Sequence, residues 1–138
     1  MTSYLDRAQK LSGDAVSLRR ELHQHPELGF KEFETAKRIA FELEKSSIPF
    51  QKGIAGTGLI GTIRGKSEFP TGMIRVDMDA LPIQEQTSLP FVSLNPGVMH
   101  ACGHDGHMAM GVLAARLLME NANSLEGSIK CLFQPAEE

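Results

Sequence analysis

The stretch GMIRVDMDA, residues 72–80, sets the fold class that the sequence predicts. Its β-branched side chains, together with the flanking glycine and proline, predict a β-strand that ends in two aspartates. A second strand of the same kind is predicted in TGLIGTIRGK, residues 57–66, and KSEFPT between the two predicts a turn or a short hairpin loop. A third strand is predicted at the start of SIKCLFQPAEE, residues 128–138. The chain is therefore expected to contain at least three strands.

Three amphipathic helices are predicted around these strands, from apolar residues that recur at three- and four-residue steps. The first helix has Thr2 and Ser3 as N-cap candidates and ends before Pro26. Its apolar stripe is Leu5, Ala8, Leu11, Ala15, Leu18 and Leu22. The stripe of the second helix is Phe33, Ala36, Ile39, Ala40 and Leu43. The third helix, residues 106–121, is predicted to bury Met110, Leu113, Ala114, Leu117 and Leu118. This alternation predicts an α/β fold with helices packed on a mixed β-sheet.

Length and composition limit the class of protein. With 138 residues the chain is the size of one domain, and 41% hydrophobic with 22% charged residues is typical of a globular protein. A net charge of −3 argues against nucleic acid as a partner. The apolar runs are too short for a membrane helix. The polar start MTSYLDRAQK lacks the apolar core of a signal peptide, which predicts a cytoplasmic protein.

Three clusters of polar residues are predicted to converge on one crevice. Asp77 and Asp79 follow one strand, and Glu137 and Glu138 follow another. The loop MHACGHDGHMAM, residues 99–110, leads into the third helix. The irregular connection before it contains three prolines, and long loops of this kind are often functional. Because ligands bind beyond the carboxyl ends of strands in open α/β sheets, a ligand site is predicted where these clusters meet.

The loop and the glutamate pair offer the donors of a metal site. Cys102 and His104 stand two positions apart, so that their side chains can reach one ion from an extended loop. A thiolate with an imidazole suits Zn²⁺, Co²⁺, Ni²⁺ or Mn²⁺ better than Mg²⁺ or Ca²⁺. Glu138 adds an oxygen ligand. Glu137 is predicted to point to the other face of the strand, as a free carboxylate that can activate a water.

Each cluster has a simpler interpretation when it is considered alone. A Cys-x-His pair is a weak motif, and paired glutamates at a strand end are commonly a solvated cap. Asp77 and Asp79 can be turn or N-cap residues. His107 at a helix start is expected to pack or to hydrogen-bond rather than to bind metal. A metal site is favoured because all of these clusters occur together.

Four stretches resemble, in this order and spacing, the amidohydrolase branch of the M20 metallopeptidase family. They are LRRELHQHPELGF (18–30), RVDMDALPIQE (75–85), PGVMHACGHDGHMAM (96–110) and FQPAEE (133–138). The branch includes the hippurate hydrolases, the N-acyl-amino-acid amidohydrolases and the plant auxin-conjugate hydrolases. The resemblance implies a zinc-peptidase-like catalytic domain that binds two divalent metals per full-length subunit, with a lid domain inserted into it. It also implies a small N-acyl amino acid or peptide-like substrate, and it allows a homo-oligomer.

The resemblance assigns roles to individual residues. Cys102 and His104 match metal ligands of the loop, and Glu138 matches the next ligand. Glu137 matches the general base. Asp79 matches the aspartate of a His-x-Asp motif, which orients a metal ligand. The histidine of that motif is replaced by aspartate here.

These residues imply a metal-dependent amidohydrolase that cleaves the amide bond of N-acyl amino acids. In the implied mechanism, the metals polarise the scissile carbonyl, and Glu137 transfers a proton from the attacking water to the leaving amine. A dipeptidase or carboxypeptidase of the same wider family is the neighbouring alternative. A non-enzymatic module that senses metal or redox state through Cys102 and Cys131 is an alternative from another class, but such a module does not need the glutamate pair.

The resemblance also leads us to expect that residues 1–138 are the N-terminal part of the catalytic domain. Family members continue beyond the glutamate pair, with further histidine ligands, the lid domain and the closing strands of the sheet. We therefore expect these residues alone to bind metal weakly or not at all and to lack activity. We also expect the open edge of the sheet to attract another strand.

Overall fold

A mixed four-stranded β-sheet forms the centre of residues 3–138, the part of the chain that the computed structural model describes. Its strands are β1 (Phe50–Ile54), β2 (Gly58–Ile63), β3 (Thr71–Asp77) and β4 (Ser128–Gln134). They lie in the order β1-β2-β4-β3. β2 pairs antiparallel with both β1 and β4, whereas β3 runs parallel to β4. The predicted fold class is confirmed.

β2 and β3 are not joined as a hairpin of adjacent strands, which was one of the two predicted possibilities. β4 lies between these two strands, and residues 64–70 connect them past its start. β4 takes the central position because Phe133 is fully buried and pairs with Leu59 on one side and Val76 on the other. β2 and β3 are therefore consecutive in the sequence but are not neighbours in the sheet.

The edge strand β1 has no counterpart in the sequence-based prediction. Its three central residues, Gln51, Lys52 and Gly53, are exposed, so the alternation of apolar and polar side chains that identifies a half-buried strand is missing. The pairing with β2 also shifts between Lys52 and Ile54, where Gly53 adopts a φ of 78°. An irregular, exposed edge of this kind gives no periodic signal.

Two helices, α1 (Tyr4–Gln24) and α2 (Phe33–Lys45), form where the apolar stripes predicted them. Ser3 is the N-cap of α1, because its hydroxyl accepts the Asp6 N–H while the Asp6 carboxylate accepts the Ser3 N–H, both at 3.1 Å. The helix ends before Pro26, as predicted. Thr2, the other predicted cap, lies outside the described residues.

A third helix, α3 (His104–Glu120), crosses from β3 to β4 and packs between α1 and the sheet. Its buried face differs from the predicted one: Met110 is 63% exposed, and the fully buried apolar residues are Met108, Ala109, Val112 and Ala115. The helix is apolar over most of its circumference, and so its periodicity does not define one face. Gly111 lets this face approach the sheet closely, because a Cβ there would lie only 2.7 Å from Val76 Cγ1.

The core lies between the three helices and the sheet. Its largest fully buried side chains are Phe133, Ile39, Leu43, Ile48, Leu59, Ile63, Met78 and Met108. Residues 81–98 form the irregular connection that was predicted; a backbone bridge between Leu81 and Met99 joins its two ends, and the Leu94 N–H donates to the Gln24 carbonyl at the end of α1. Within residues 3–138, the helices are too short or too polar to cross a membrane.

Candidate metal centre

The predicted site residues lie at the carboxyl ends of the two parallel strands. Asp77 is the last residue of β3, and Asp79 follows two positions later. Glu137 and Glu138 lie just beyond the end of β4. His104 begins α3, the helix that connects these strands, and its side chain faces the same end of the sheet. The structure therefore brings together groups that are far apart in the sequence.

The His104 ring is held in one orientation by Asp79. Its Nδ1 lies 2.9 Å from the Asp79 carbonyl oxygen and 3.3 Å from Asp79 Oδ1, and both residues are buried. A carbonyl oxygen can only accept a hydrogen bond, and so Nδ1 must donate. In the neutral ring Nε2 then carries the lone pair, and this atom lies 3.8 Å from Glu137 Oε2. This is how a histidine is oriented when its second nitrogen binds a metal.

The glutamate pair lies in a turn rather than in a strand, which corrects the prediction that Glu137 points to the opposite face from Glu138. β4 ends at Gln134 because Pro135 cannot donate to the strand ladder. Ala136 then adopts a left-handed φ of 49°. As a result, both glutamates face His104: one ligand atom from each of the three residues lies within 4.8 Å of the others.

Cys102 lies beside this group rather than within it. Its thiol is exposed next to Glu138, and a hydrogen bond with the Glu138 carboxylate, together with burial and nearby negative charge, raises the pKa of the thiol. Cys131 is buried in β4, where burial raises the pKa of its thiol to about 11. Both thiols are free, and this arrangement gives no support to a redox module that pairs them.

A second group of potential ligands shares His104. Atoms of Asp77, His104 and His107 also lie within 4.8 Å of one another. The His107 ring stacks on that of His104 at 5.5 Å, and its Nδ1 is 3.7 Å from Asp77 Oδ2. Asp77 Oδ1 accepts hydrogen bonds from Arg75 at 2.7 and 3.1 Å. The same guanidinium lies 4.0 Å from Glu137, a contact that the sequence did not suggest.

These donors fit a borderline divalent cation. The His104 Nε2 atom and the Glu137 carboxylate lie 3.8 Å apart, and both can donate a lone pair to a cation bound between them when the ring is neutral. Asp79 Oδ1, although buried, accepts no conventional hydrogen bond from a described residue. The set of one imidazole nitrogen and two carboxylates, with a thiol adjacent, is one that Zn²⁺ and similar ions bind.

A buried polar network supports the start of α3 from behind. His23 Nδ1 lies 2.8 Å from Asp105 Oδ2, and His23 Nε2 lies 3.1 Å from Glu85 Oε1. Arg19 also donates to Asp105 Oδ2 at 2.7 Å. The network connects α1 and the irregular connection to the residue next to His104. Sequence reasoning missed it, because its members are distant in the chain and follow no common spacing.

The network predicts an acid-dependent loss of stability. Burial alone would raise the pKa of Glu85, but hydrogen bonds from Thr87, the Ser93 amide and His23 together lower the pKa below its usual 4.5. A carboxylate whose pKa falls on folding stabilises the native state above its unfolded pKa, and this contribution is lost as the pH falls through the lower folded value. Glu85→Gln should therefore destabilise the protein by about 1–3 kcal/mol at pH 7, and by less below pH 4.5.

Urea unfolding at pH 7 and pH 3 measures this difference. Glu68→Gln is the matched control, because Glu68 is exposed and its substitution should have no effect at either pH. An equal destabilisation by Glu85→Gln at both values would show that the ionised form of Glu85 does not stabilise the fold.

The fold is that of a metallopeptidase catalytic domain. Residues 73–138 match the model of peptidase family M20/M25/M40. The resemblance to the M20 metallopeptidase family that the four motifs carried is confirmed by this match and by the similar proteins described below.

Three relatives show the range of this similarity. N-acetyl-L-cysteine deacetylase of Bacillus subtilis is 48% identical over 93% of this chain and 31% of its own length. Thermostable carboxypeptidase 1 of Saccharolobus solfataricus is 42% identical over 97% of this chain and 36% of its own length. The crystal structure of a dinuclear metal-binding M20 peptidase from Bacillus subtilis superimposes with a TM-score of 0.89 at 45% identity, over 94% of this chain and 36% of that one. The chain spans about a third of the length of the curated relatives that it matches.

Proposed function

We propose that the protein carrying this chain is a metal-dependent amidohydrolase that cleaves the amide bond of N-acyl amino acids. The observation that carries the proposal is the pairing of an oriented His104 with an exposed carboxylate, Glu137, at 3.8 Å. This pairing lies where the M20 motifs coincide, and a deacetylase is among the similar proteins. It supports a cation site with a base beside it.

His104, Glu138 and Cys102 would hold the metal through nitrogen, oxygen and sulfur, and Asp79 would fix the His104 ring. Zn²⁺, Mn²⁺, Co²⁺ and Ni²⁺ all suit these donors. A divalent ion at such a site polarises a carbonyl group and makes a water molecule more acidic. A similar M20 peptidase is dinuclear, and we propose a two-metal site to which these residues contribute.

Glu137 would be the general base. Its side chain is 40% exposed, so that water and substrate can reach it, and it lies against the donor set. One carboxylate oxygen would take a proton from water while the water oxygen bonds to the carbonyl carbon. When the C–N bond breaks, the same proton would pass to the leaving nitrogen and give a carboxylic acid and an amine.

The second candidate is a carboxypeptidase or dipeptidase, which the similarity to thermostable carboxypeptidase 1 favours. Both reactions hydrolyse an amide next to a free carboxylate. They differ in the acyl side of the bond. It is a simple carboxylic acid for the amidohydrolase and an amino acid or a peptide for the carboxypeptidase or dipeptidase.

One experiment tests the proposal and separates the two candidates. The full-length protein that carries this chain is purified and stripped of metal with a chelator. It is then reloaded with Zn²⁺, Mn²⁺, Co²⁺ or Ni²⁺ and assayed on acetyl and benzoyl amino acids and on unblocked dipeptides. We expect metal-dependent release of amino acid from the acyl substrates, with kcat/KM at least about tenfold higher than for dipeptides, a difference of about 1.4 kcal/mol in transition-state binding. The reverse ratio would favour the peptidase, and the absence of hydrolysis with every metal would refute both.

A further inference from the structure

We propose that Glu32 is a positioning residue for Glu137, acting through the backbone of the turn formed by residues 135–138. This inference rests on the proposed function, in which Glu137 is the base. Glu32 is completely buried, and neither the metal donors nor the proposed mechanism uses it. It lies two residues beyond the stretch 18–30 that carried part of the family resemblance, a stretch whose role the proposed mechanism leaves open.

Both oxygens of the Glu32 carboxylate are engaged. Oε1 accepts the Ala136 N–H at 2.9 Å, directly before Glu137, and Oε2 accepts the Thr57 hydroxyl at 2.6 Å. Charge-assisted hydrogen bonds of this kind are stronger than neutral ones. The carboxylate therefore links the start of β2 to the turn that carries the base.

Helix capping does not account for this side chain. Glu32 occupies the N-cap position of α2, yet its carboxylate makes no cap hydrogen bond. Glu27 performs that task instead, because its carboxylate accepts the amides of Glu34 and Thr35 at 3.2 and 2.8 Å. The Glu32 side chain is thus directed away from its own helix and toward the turn.

The turn needs such support because Ala136 has a left-handed φ of 49°, a conformation that a residue with a Cβ keeps only when its surroundings enforce it. Glu32 fixes the amide before Glu137, and Asp79 Oδ2 fixes the amide after it by accepting the Glu138 N–H at 3.0 Å. Glu137 is therefore held between two anchored peptide groups, although its own side chain is exposed.

Gly29 packs directly against the same turn. A Cβ at this position would lie 3.1 Å from Ala136 Cβ and 3.2 Å from Ala136 Cα, closer than most side-chain contacts allow. Gly13 in α1 offers the matched control, because a Cβ there meets no atom within 4 Å. Both the hydrogen bond that the Ala136 N–H donates to Glu32 and the absence of a side chain at Gly29 act on one residue, Ala136.

Four variants of the protein test the proposal: Glu32→Ala, Glu32→Gln, Gly29→Ala and Gly13→Ala. Glutamine restores both hydrogen bonds, since its oxygen accepts the Ala136 N–H and its amide donates to the Thr57 hydroxyl. We expect Glu32→Ala and Gly29→Ala to lower kcat by about 10- to 100-fold with little change in KM, because small displacements of a catalytic group have effects of this size. Glu32→Gln and Gly13→Ala should keep kcat within about threefold of the wild type, since neither displaces Ala136.

Hydrogen exchange of the Ala136 amide provides a readout that needs no activity. Exchange should be about tenfold faster or more in Glu32→Ala, because the amide loses its acceptor, and near the wild-type rate in Glu32→Gln. If the wild-type protein hydrolyses no substrate, the proposed function fails while this measurement still tests the support of the turn. If Glu32→Ala does not fold, the kcat of Gly29→Ala tests the proposal in its place.

Three results would overturn the proposal. The first is a folded Glu32→Ala protein with unchanged kcat. The second is unchanged protection of the Ala136 amide in that variant. The third is an equal loss of kcat in Glu32→Ala and Glu32→Gln, which would mean that the charge of Glu32 matters and its hydrogen bond to the turn does not.

Discussion

Replacing Glu137 by glutamine is expected to lower kcat by about 10²- to 10⁴-fold, the range that a general acid–base residue contributes. Glutamine has nearly the same size but cannot accept a proton at neutral pH, and the backbone contacts that hold residues 135–138 do not involve this side chain. The metal content should stay close to that of the wild type, because His104, Glu138 and Cys102 remain. Steady-state assays on the best acyl amino acid, with metal analysis of the same samples, measure both quantities.

Glu126→Gln is the matched control for this substitution. Glu126 precedes β4 at the opposite end of the strand and forms an exposed ion pair with Lys66, so its loss should leave kcat unchanged. Glu137→Asp should retain part of the activity, since a carboxylate is still present but lies farther from the water. An alanine variant at position 137 with near-normal turnover would remove Glu137 from the mechanism.

Replacing His104 by alanine is expected to weaken metal binding by about 100-fold or more, since even the outer partners of metal ligands contribute about 10- to 100-fold. The reason is geometric: the His104 imidazole belongs to both groups of potential ligands, one with Glu137 and Glu138 and the other with Asp77 and His107. Activity at limiting metal should fall with the affinity. Calorimetric titration of the stripped protein with Zn²⁺ measures the change.

Two further variants show which group binds the ion. Glu138→Gln should weaken Zn²⁺ binding if the first group is the site, whereas His107→Ala should do so only if the second group is. We expect the larger effect from Glu138, which also lies next to the Cys102 thiol. Zn²⁺ affinity within threefold of the wild type in His104→Ala would exclude both groups as the main site.

Local patterns in the sequence predicted most of the fold. The apolar stripes, Ser3 and Pro26 define α1 and its ends, because helix periodicity and capping depend on nearby residues. The position of β4 between β2 and β3 could not be predicted in this way, since it depends on pairing between distant segments. The buried face of α3 also escaped prediction, because the helix is apolar over most of its circumference and the face that is buried includes Gly111, which packs against Val76.

The potential metal ligands of the candidate site could be predicted from the sequence, but the residues that hold them in position could not. Cys102, His104 and the glutamate pair stand out because each belongs to an unusual local run of metal-binding residue types. Glu32 gave no such signal, because a lone glutamate at a helix start is ordinary and its partner is the amide of Ala136, more than a hundred positions away. The turn at Ala136 likewise replaced the regular strand that the alternation of side chains had suggested.

The central place of β4 has a consequence for the order of assembly. β3 finds its only strand partner of the described sheet in β4, and this parallel ladder joins segments that are far apart in the chain. Ladders between such distant segments form late, because the entropy of closing a long loop is lost before any contact is gained. Asp79 and Glu138 both lie just past the carboxyl end of this ladder, one on each strand, and the hydrogen bond between them can form only once the ladder is in place. A cation held by Glu138 and by a His104 ring that Asp79 orients would therefore bind the finished sheet and not its precursors, so that metal binding would mark the completion of folding.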